Sequence, residues 1–526
     1  MAFSVIQSGT VLQLLAESGA LITLTLPTGI VLRSDVPPRW QVYERYVVLT
    51  NTPSQPLTID ATGTVRLLSP KAPRLAPVLS GNGSSTLSGT FRARMTFVIL
   101  DSLGNTIAES DFSPFSSQAT ISNQFLLASN LDISPDQITG RRIYRTTSEG
   151  ATYFQWIDLD GNILTSVQDD LPDAGLSLVA APILGTPPRL TMIAEFRGRL
   201  WGVGDIDIDH VRYTETGVQY AWPADNVVEI PSIGSDNKGI TALIPRREAL
   251  GVARGNTLVQ ITGTGEETDG IPDFNQVILS RELGVLSQES VKVFRDTAYF
   301  LWKDGVYQWD TSGIKSLSDG KVRSWFTTDT FFNRSLFPFA FAEIDPDRYV
   351  YRLFLASAGS LVVDQWIEYS LTDGTWWGPH KTDEFAPVSA FTVLVANQET
   401  TLIGSQAGNV YEERATRTDG LATPITFDVV GKRHDLDDPD STKYFGELRM
   451  FGKAQPQGSL TVSASVGDVE SEITHTDSYD MTKSRQRLRR LGVGRFLQLE
   501  FVNAEVDTDV NIYGYDINPI VPIGQR

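Results

Sequence analysis

Apolar and polar positions alternate with a period of two along much of the chain. Leu21–Leu26 (LITLTL), Thr90–Leu100 (TFRARMTFVIL), Leu460–Val466 (LTVSASV) and Arg495–Val502 (RFLQLEFV) each put apolar side chains on one face of an extended segment. Runs of this kind, rich in Val, Ile, Thr and aromatics, predict β-strands. A single short helix is expected at Ser287–Phe294, with Ser287 as cap and Glu289 in the first turn. The 43 Gly and 27 Pro interrupt every longer helical pattern. The fold class expected is therefore mostly β.

One unit recurs: a strand, a tight turn holding Gly or Asn, and a strand ending in aromatics. It appears as EFRGRLWGVG (195–204), GVARGNTLVQITG (251–263), AYFLWKDGVYQWD (298–310), DQWIEYSLTDGTWW (364–377) and TLIGSQAGNVYEE (401–413). An earlier copy is VVLTNTPSQPLTIDATGTVRLL (47–68). Gly and Asn tolerate the positive φ that tight hairpins need. Spacings of roughly 40–50 residues match the blade period of a β-propeller. Hairpins occur in any large β protein; the shared aromatic ending is what favours a propeller. Trp201, Trp302 and Trp309 stand at these strand ends and are expected to fill the gaps between blades.

The first copy is separated from the rest. A Gly/Ser-rich stretch, Ser80–Gly89, opens a segment with its own long strands, including GRRIYRT (140–146), and Pro182, Pro187 and Pro188 close it. That reads as a β-sandwich inserted between the first and second blades. From about Ala422 the tryptophans stop and long alternating strands run on, which reads as a C-terminal β-sandwich. The organisation expected is strands in 1–37 that close or dock the ring, a first blade in 38–75, the insert in 76–185, the remaining blades in 186–418, and the terminal β domain in 419–526.

Composition narrows the chemistry. The net charge is −19 (44 Lys and Arg against 63 Asp and Glu), which opposes tight binding to nucleic acid or an anionic membrane. There is no Cys, so disulfides and thiolate chemistry are excluded. No apolar run reaches the roughly 18 residues of a membrane span. The opening MAFSVIQSGTVLQLL lacks the basic start of a signal peptide. The four His are scattered, and none stands in a metal-ligand spacing. Gly263–Gly270 (GTGEETDG) begins like a phosphate loop but lacks the Lys-Ser/Thr ending and carries acids where phosphate would sit. Ser370–Trp377 (SLTDGTWW) is similar to the Asp-box turn of sialidase propellers but is out of register with it. Asp435–Asp440 (DLDDPD) is an acidic turn. No catalytic residue, cofactor or metal is expected.

The succession is more specific than its parts: a short blade, a segment carrying GRRIYRT, then RGRLWGVG with VRYTETG and YAWPADN, then KDGVYQWD, then a terminal β domain. In this order, over nearly the whole chain, it resembles the tail nozzle (hub) proteins of short-tailed bacteriophages. The resemblance implies a fibronectin-III-like insert and a virion structural protein assembled as a homo-oligomer, a hexamer, below the tail adaptor. It also implies a site for a tail fibre or spike, genome DNA in transient passage, assembly in the host cytoplasm and residence in the virion tail. A protein of this kind is not expected to be an enzyme. The alternative is a glycan-binding or glycan-degrading tail protein built on the same propeller; a third reading is a receptor-binding tail protein.

Two charged clusters are candidate sites under this resemblance. Asp205, Asp207 and Asp209 alternate with Ile206 and Ile208, which on a strand would set three carboxylates on one face, a candidate acidic lining of a channel. A Ca²⁺ site is the weaker reading. Lys483–Arg495 holds six Lys or Arg and no acid. Arg485, Arg487 and Arg489 would share one face, a candidate subunit contact or basic ring, with Leu491, Leu497 or Phe496, and Leu499 buried opposite.

Overall fold

The computed structural model describes residues 4–525 except 16–19, 34–36, 178, 232–237, 269–270, 383–384, 396–397, 414–417, 420–422, 425, 437, 469–470, 506–509 and 511. The chain divides into two compact units. One is Met1–His380 with Pro387–Thr401, the other Lys381–Ala386 with Leu402–Arg526. No helix among the described residues is long and apolar enough to cross a membrane.

The first unit is a β-propeller of antiparallel sheets, each a run of consecutive strands. Blade one comprises Trp40–Tyr43, Tyr46–Leu49, Leu57–Asp60 and Val65–Leu67. Blade two comprises Leu190–Phe196, Arg199–Gly204, His210–Tyr213 and Val227–Glu229, and blade three Ile240–Pro245, Leu250–Arg254, Thr257–Thr262 and Asn275–Ser280. Blade four comprises Lys292–Phe294, Thr297–Trp302, Gly305–Asp310 and Gly313–Ser316, and blade five Phe341–Asp345, Val350–Leu355, Gln365–Ser370 and Trp376–Lys381. A sixth sheet opens with Pro387–Val395. The opening strand of each sheet packs on that of the next, from Trp40–Tyr43 through to Pro387–Val395, and this row is the inner wall of the propeller.

The core lies between blades, because each sheet is apolar on both faces. Trp201, Tyr213, Leu243 and Val252 fill the gap between blades two and three; Ala253, Phe300, Trp302 and Trp309 fill the next; Leu301, Phe326, Tyr351 and Leu353 the one after. The three tryptophans expected at these gaps are buried. At the amino end, Leu12, Leu14, Leu24 and Leu32 pack on Leu49, Leu57 and Ile59 of blade one.

Blade one docks on blade two although the chain between them is long. Tyr43, Val48 and Leu68 share a cluster with Leu190, Leu200 and Trp222, and the Tyr43 hydroxyl donates to the Gly198 carbonyl, 155 residues away, at 2.7 Å. The intervening residues fold around their own core of Phe91, Met95, Phe97, Leu126, Ile143 and Trp156. GRRIYRT is the staple of this segment. Arg141, fully buried, donates to the carbonyls of Asp132, Gly161 and Leu164. Arg142 pairs with Glu109 at 3.0 Å and Asp158 at 2.8 Å, and the Tyr144 hydroxyl donates to Glu109 at 2.7 Å. Burial, reinforced by the Glu109 charge, raises the Tyr144 phenol well above its ordinary range.

Two larger sheets of the second unit enclose its core. One orders Phe427–Val430, Phe496–Asn503, Ser459–Asp468 and Ser471–Asp480; the other orders Arg485–Gly494, Ser441–Gly452 and Ile512–Gln525. Phe445, Met450, Val462, Leu491, Leu497 and Leu499 lie between them.

The helix expected at Ser287–Phe294 is a correction. Only Gln288–Ser290 coil, as a 3-10 turn, Ser287 makes no capping bond, and Lys292–Phe294 is the opening strand of blade four. Pairing of Val293 with Ala298 outweighs a weak local preference for helix.

Candidate functional site at the propeller axis

The inner wall brings polar side chains from six sheets to the axis. In blade two the pairing of the first two strands slips at Thr191, and in blade three it slips at Thr241. Each bulged threonine turns its hydroxyl onto the neighbouring strand, Thr191 to the Val203 carbonyl at 3.2 Å and Thr241 to the Ala253 carbonyl at 3.4 Å. Both partners are 12 residues further along, so the device repeats from one blade to the next.

Arg39, just before blade one, donates from Nε to Glu289 at 2.7 Å and from a terminal nitrogen to the Thr191 carbonyl at 2.6 Å. One side chain thus joins the entries of blades one, two and four. Gln288 does for blades three and four what a strand would do. Its amide oxygen accepts from the Leu243 N–H at 2.6 Å and its amide nitrogen donates to the Leu243 carbonyl at 3.0 Å. Glu343 joins the next three sheets, accepting from Lys292 Nζ at 2.7 Å and from the Thr392 N–H at 2.9 Å. Arg39 and Glu289 keep 21% and 27% of their side-chain surface exposed, so water reaches the pair and its Coulomb energy is only partly screened. The two cations and two carboxylates cancel. The arrangement stitches the blade entries to one another.

The structure places the acidic trio differently from a strand face. Asp205, Asp207 and Asp209 lie in the turn between Arg199–Gly204 and His210–Tyr213, with Ile206 and Ile208 exposed. Each carboxylate has its own partners: Asp205 pairs with Arg189, Asp207 with Arg212 at 2.9 Å, and Asp209 hydrogen-bonds to His210 at 2.7 Å and pairs with Arg254 at 3.7 Å. The His210 hydrogen bond holds the Asp209 carboxyl below the usual carboxylate range. The alternating-strand geometry is therefore corrected: the three carboxylates lie in a turn, where each finds a basic or imidazole partner.

Arg485, Arg487 and Arg489 do lie on one strand, Arg485–Gly494, and all three are exposed. Leu491, Phe496, Leu497 and Leu499 are buried. The expected shared face is corrected by a bulge: Arg487 faces Arg449 and Arg490 faces Glu447, so Arg490 takes the place of Arg489 beside Arg485 and Arg487, and Arg489 lies 3.8 Å from Asp477 of the other sheet.

The remaining motifs resolve into local structure. In the 263–270 loop, of which 269 and 270 lie outside the described residues, the Thr264 and Gly265 N–H groups donate to Asp273 at 3.0 and 2.6 Å. A phosphate cradle would need those donors. They hold the Asp273 carboxyl below its ordinary range. In SLTDGTWW the Asp373 carboxylate accepts from Thr375 N–H and hydroxyl, closing a hairpin turn, and Trp376 packs on Tyr369. In DLDDPD, Asp437 lies outside the described residues, and Asp438 accepts from Ser441. Among the described residues, no group of three or more His, Asp or Glu is placed to hold a metal ion.

A groove between blades three and four is a second candidate. It has a volume of about 530 Å³ and is lined by Glu282, Trp302, Lys303, Asp304, Tyr307 and Arg323. Asp304 accepts from Tyr307 at 3.0 Å and pairs with Arg323 at 2.8 Å. Burial first, then the Asp304 charge, raises the Tyr307 phenol to about 12. Neither candidate is legible in the sequence, because the axis joins residues up to 250 positions apart and the groove forms only where two blades meet.

No protein-family model matches the chain, and no curated protein does. Solved structures do match. An exo-β-1,3-galactanase from Phanerochaete chrysosporium, with galactose, is 10% identical over 62% of this chain and 94% of that one, at a TM-score of 0.23. Hsv2 of Kluyvelomyces marxianus is 9% identical over 70% of this chain and 95% of that one, at 0.28. Hsv2p of Kluyveromyces lactis is 8% identical over 69% and 94%, at 0.26. The expectation that the chain is not an enzyme is withdrawn on this finding, since a galactan-degrading enzyme stands among the matches. At these scores the matches assign no reaction, substrate or residue to this chain.

Proposed function

We propose that the chain is a virion structural protein, a subunit of the tail nozzle of a short-tailed bacteriophage. One observation carries the reading. Blade one is separated in sequence from blade two by a segment with its own core, yet packs against it, and the remaining blades and a terminal β unit follow in unbroken order. That is the order in which the sequence motifs resemble nozzle proteins. In this reading the 76–185 segment is the fibronectin-III-like insert. Copies of the chain form a ring, a hexamer, below the tail adaptor and bear a fibre or spike. The genome passes through the ring of subunits. The acidic balance of −19 fits a conduit that must not grip phosphate. Asp205, Asp207 and Asp209 remain candidates for the wall of that ring. Assembly takes place in the host cytoplasm, and the protein resides in the virion tail.

A second reading is a propeller tail protein that binds or degrades glycan. The groove between blades three and four favours it: aromatic rings beside carboxylates and cations are the lining that sugar hydroxyls require. The matched galactanase is a namesake of this reading rather than of the first. Electron microscopy of the purified chain with and without adaptor, alongside a glycan-binding and hydrolysis screen, separates the two. Rings that cap the adaptor support the nozzle. Single propellers whose glycan binding or cleavage is lost in Asp304→Asn support the second reading.

A further inference from the structure

The second unit carries a sheet face whose charge is opposite to that of the chain as a whole. In the sheet of Arg485–Gly494, Ser441–Gly452 and Ile512–Gln525, residues opposite one another across neighbouring strands share a face. Phe445, Leu448 and Met450 of the middle strand point into the core, which turns Tyr444, Glu447, Arg449 and Phe451 outward. The register then fixes their outward neighbours. Phe451 stands beside Arg485, Arg449 between Arg487 and Asp516, Glu447 between Arg490 and Asn518, and Tyr444 between Val493 and Val521.

This face therefore holds four arginines, Arg449, Arg485, Arg487 and Arg490, against two carboxylates, Glu447 and Asp516. The ion pairs within it are long. Glu447 is shared between Arg449 at 3.3 Å and Arg487 at 3.7 Å. Arg485 lies over the Phe451 ring at 5.2 Å and so is steadied without being neutralised. At one end the face turns apolar, with Val493 and Val521 52% and 45% exposed beside Tyr444. Guanidinium groups ranged next to an apolar row form a surface for desolvated pairing with carboxylates.

We propose that this face is the contact between successive copies of the chain, and that it receives an acidic surface of a second copy. Charge complementarity selects that occupant. Apart from this sheet the chain is strongly acidic, with −19 overall, so each copy offers carboxylates to the arginines of its neighbour. The apolar row argues for a protein partner, because a DNA backbone would leave it unused. The contact joins two different surfaces and is heterologous, the kind that closes into rings. The proposal rests on the nozzle reading for the existence of a ring, and adds which face builds it.

The test is the mass distribution of the full chain at low salt and at about 1 M salt, where the Debye length is only about 3 Å. The wild type is compared with the variant carrying Arg485→Glu, Arg487→Glu and Arg490→Glu, with circular dichroism and melting as controls of folding. A variant with Gln at the same three positions decides the matter if the Glu variant fails to fold. Expected are an oligomer for the wild type, weakened by salt, and a monomer for the Glu variant. The Gln variant should dissociate at least tenfold more readily, and Val493→Asp, on the apolar row, should also weaken assembly. Variants that assemble like the wild type overturn the proposal while leaving the nozzle reading in place. A wild type that is monomeric under every condition overturns both. Retention of a short DNA duplex or of phosphatidylserine vesicles by the wild type and not by the Glu variant, without self-association, would reassign the face to a polyanion and overturn the proposal.

Discussion

Replacing Trp201 by Ala tests whether the gaps between blades are the core of the first unit. Trp201 has no exposed surface. Its ring lies 4.6 Å from Tyr213, stacked, and 4.8 Å from Phe274, edge-on, and its indole N–H donates to the Phe196 carbonyl at 3.0 Å. Truncating a buried Trp to Ala costs about 3–5 kcal/mol in transfer and cavity terms. The lost aromatic pairs and the orphaned carbonyl are part of why the upper end applies here. Trp201→Phe keeps a ring and loses the donor, for which about 1–2 kcal/mol is expected. Urea denaturation followed by circular dichroism measures both, with the slope of the transition checked for change, because the chain has two units and a single two-state transition is not assumed. A loss below about 1 kcal/mol for the Ala variant, or an Ala variant no worse than Phe, would refute the claim that this gap is close-packed.

Other outcomes follow from the same geometry. In Gly251→Ala the new Cβ would stand 2.5 Å from the Trp309 ring and 3.1 Å from Ile244, so blade three should lose about 1–3 kcal/mol, read as a lowered Tm. Arg39→Ala and Glu289→Gln should each destabilise blade one against hydrogen exchange, and a double-mutant cycle should return about 1–2 kcal/mol of coupling; a coupling near zero removes the axial clasp. Asp480 is held at about 2 by Thr482 and Lys483. Its contribution is present above its unfolded value near about 3.9 and is lost as pH falls towards 2, so NMR titration should place its midpoint well below that of a free Asp. Asp273→Ala should free the Thr264 and Gly265 amides and speed their exchange, leaving the rest of blade three protected.

The strands and hairpins were legible because a period of two and a Gly- or Asn-bearing turn are local signals. The 195–204, 251–263 and 298–310 hairpins all form, and Trp201, Trp302 and Trp309 are buried at their ends. Leu491 and Leu499 were legible for the same reason. The acidic trio was not: D-I-D-I-D has strand alternation, but the three carboxylates lie in a turn beside Arg189, Arg212 and His210, and a period of two does not announce such partners. The short coil at 288–290 misled in the same way, since Val293 pairs with Ala298. The axial site was invisible because Arg39 and Glu289 are 250 residues apart. The repeated bulged threonines, Thr191 and Thr241, were visible in principle as a recurrence, but a lone Thr at the start of a strand carries no signal until the register slip is seen.

The central claim is that copies of this chain build a ring through which a genome passes. Electron microscopy of the purified full chain, in class averages viewed down the symmetry axis, tests it most directly. The account predicts closed rings of propellers around an opening wide enough for a DNA duplex. Isolated propellers at every concentration, or rings whose only opening is too narrow for a duplex, would contradict it.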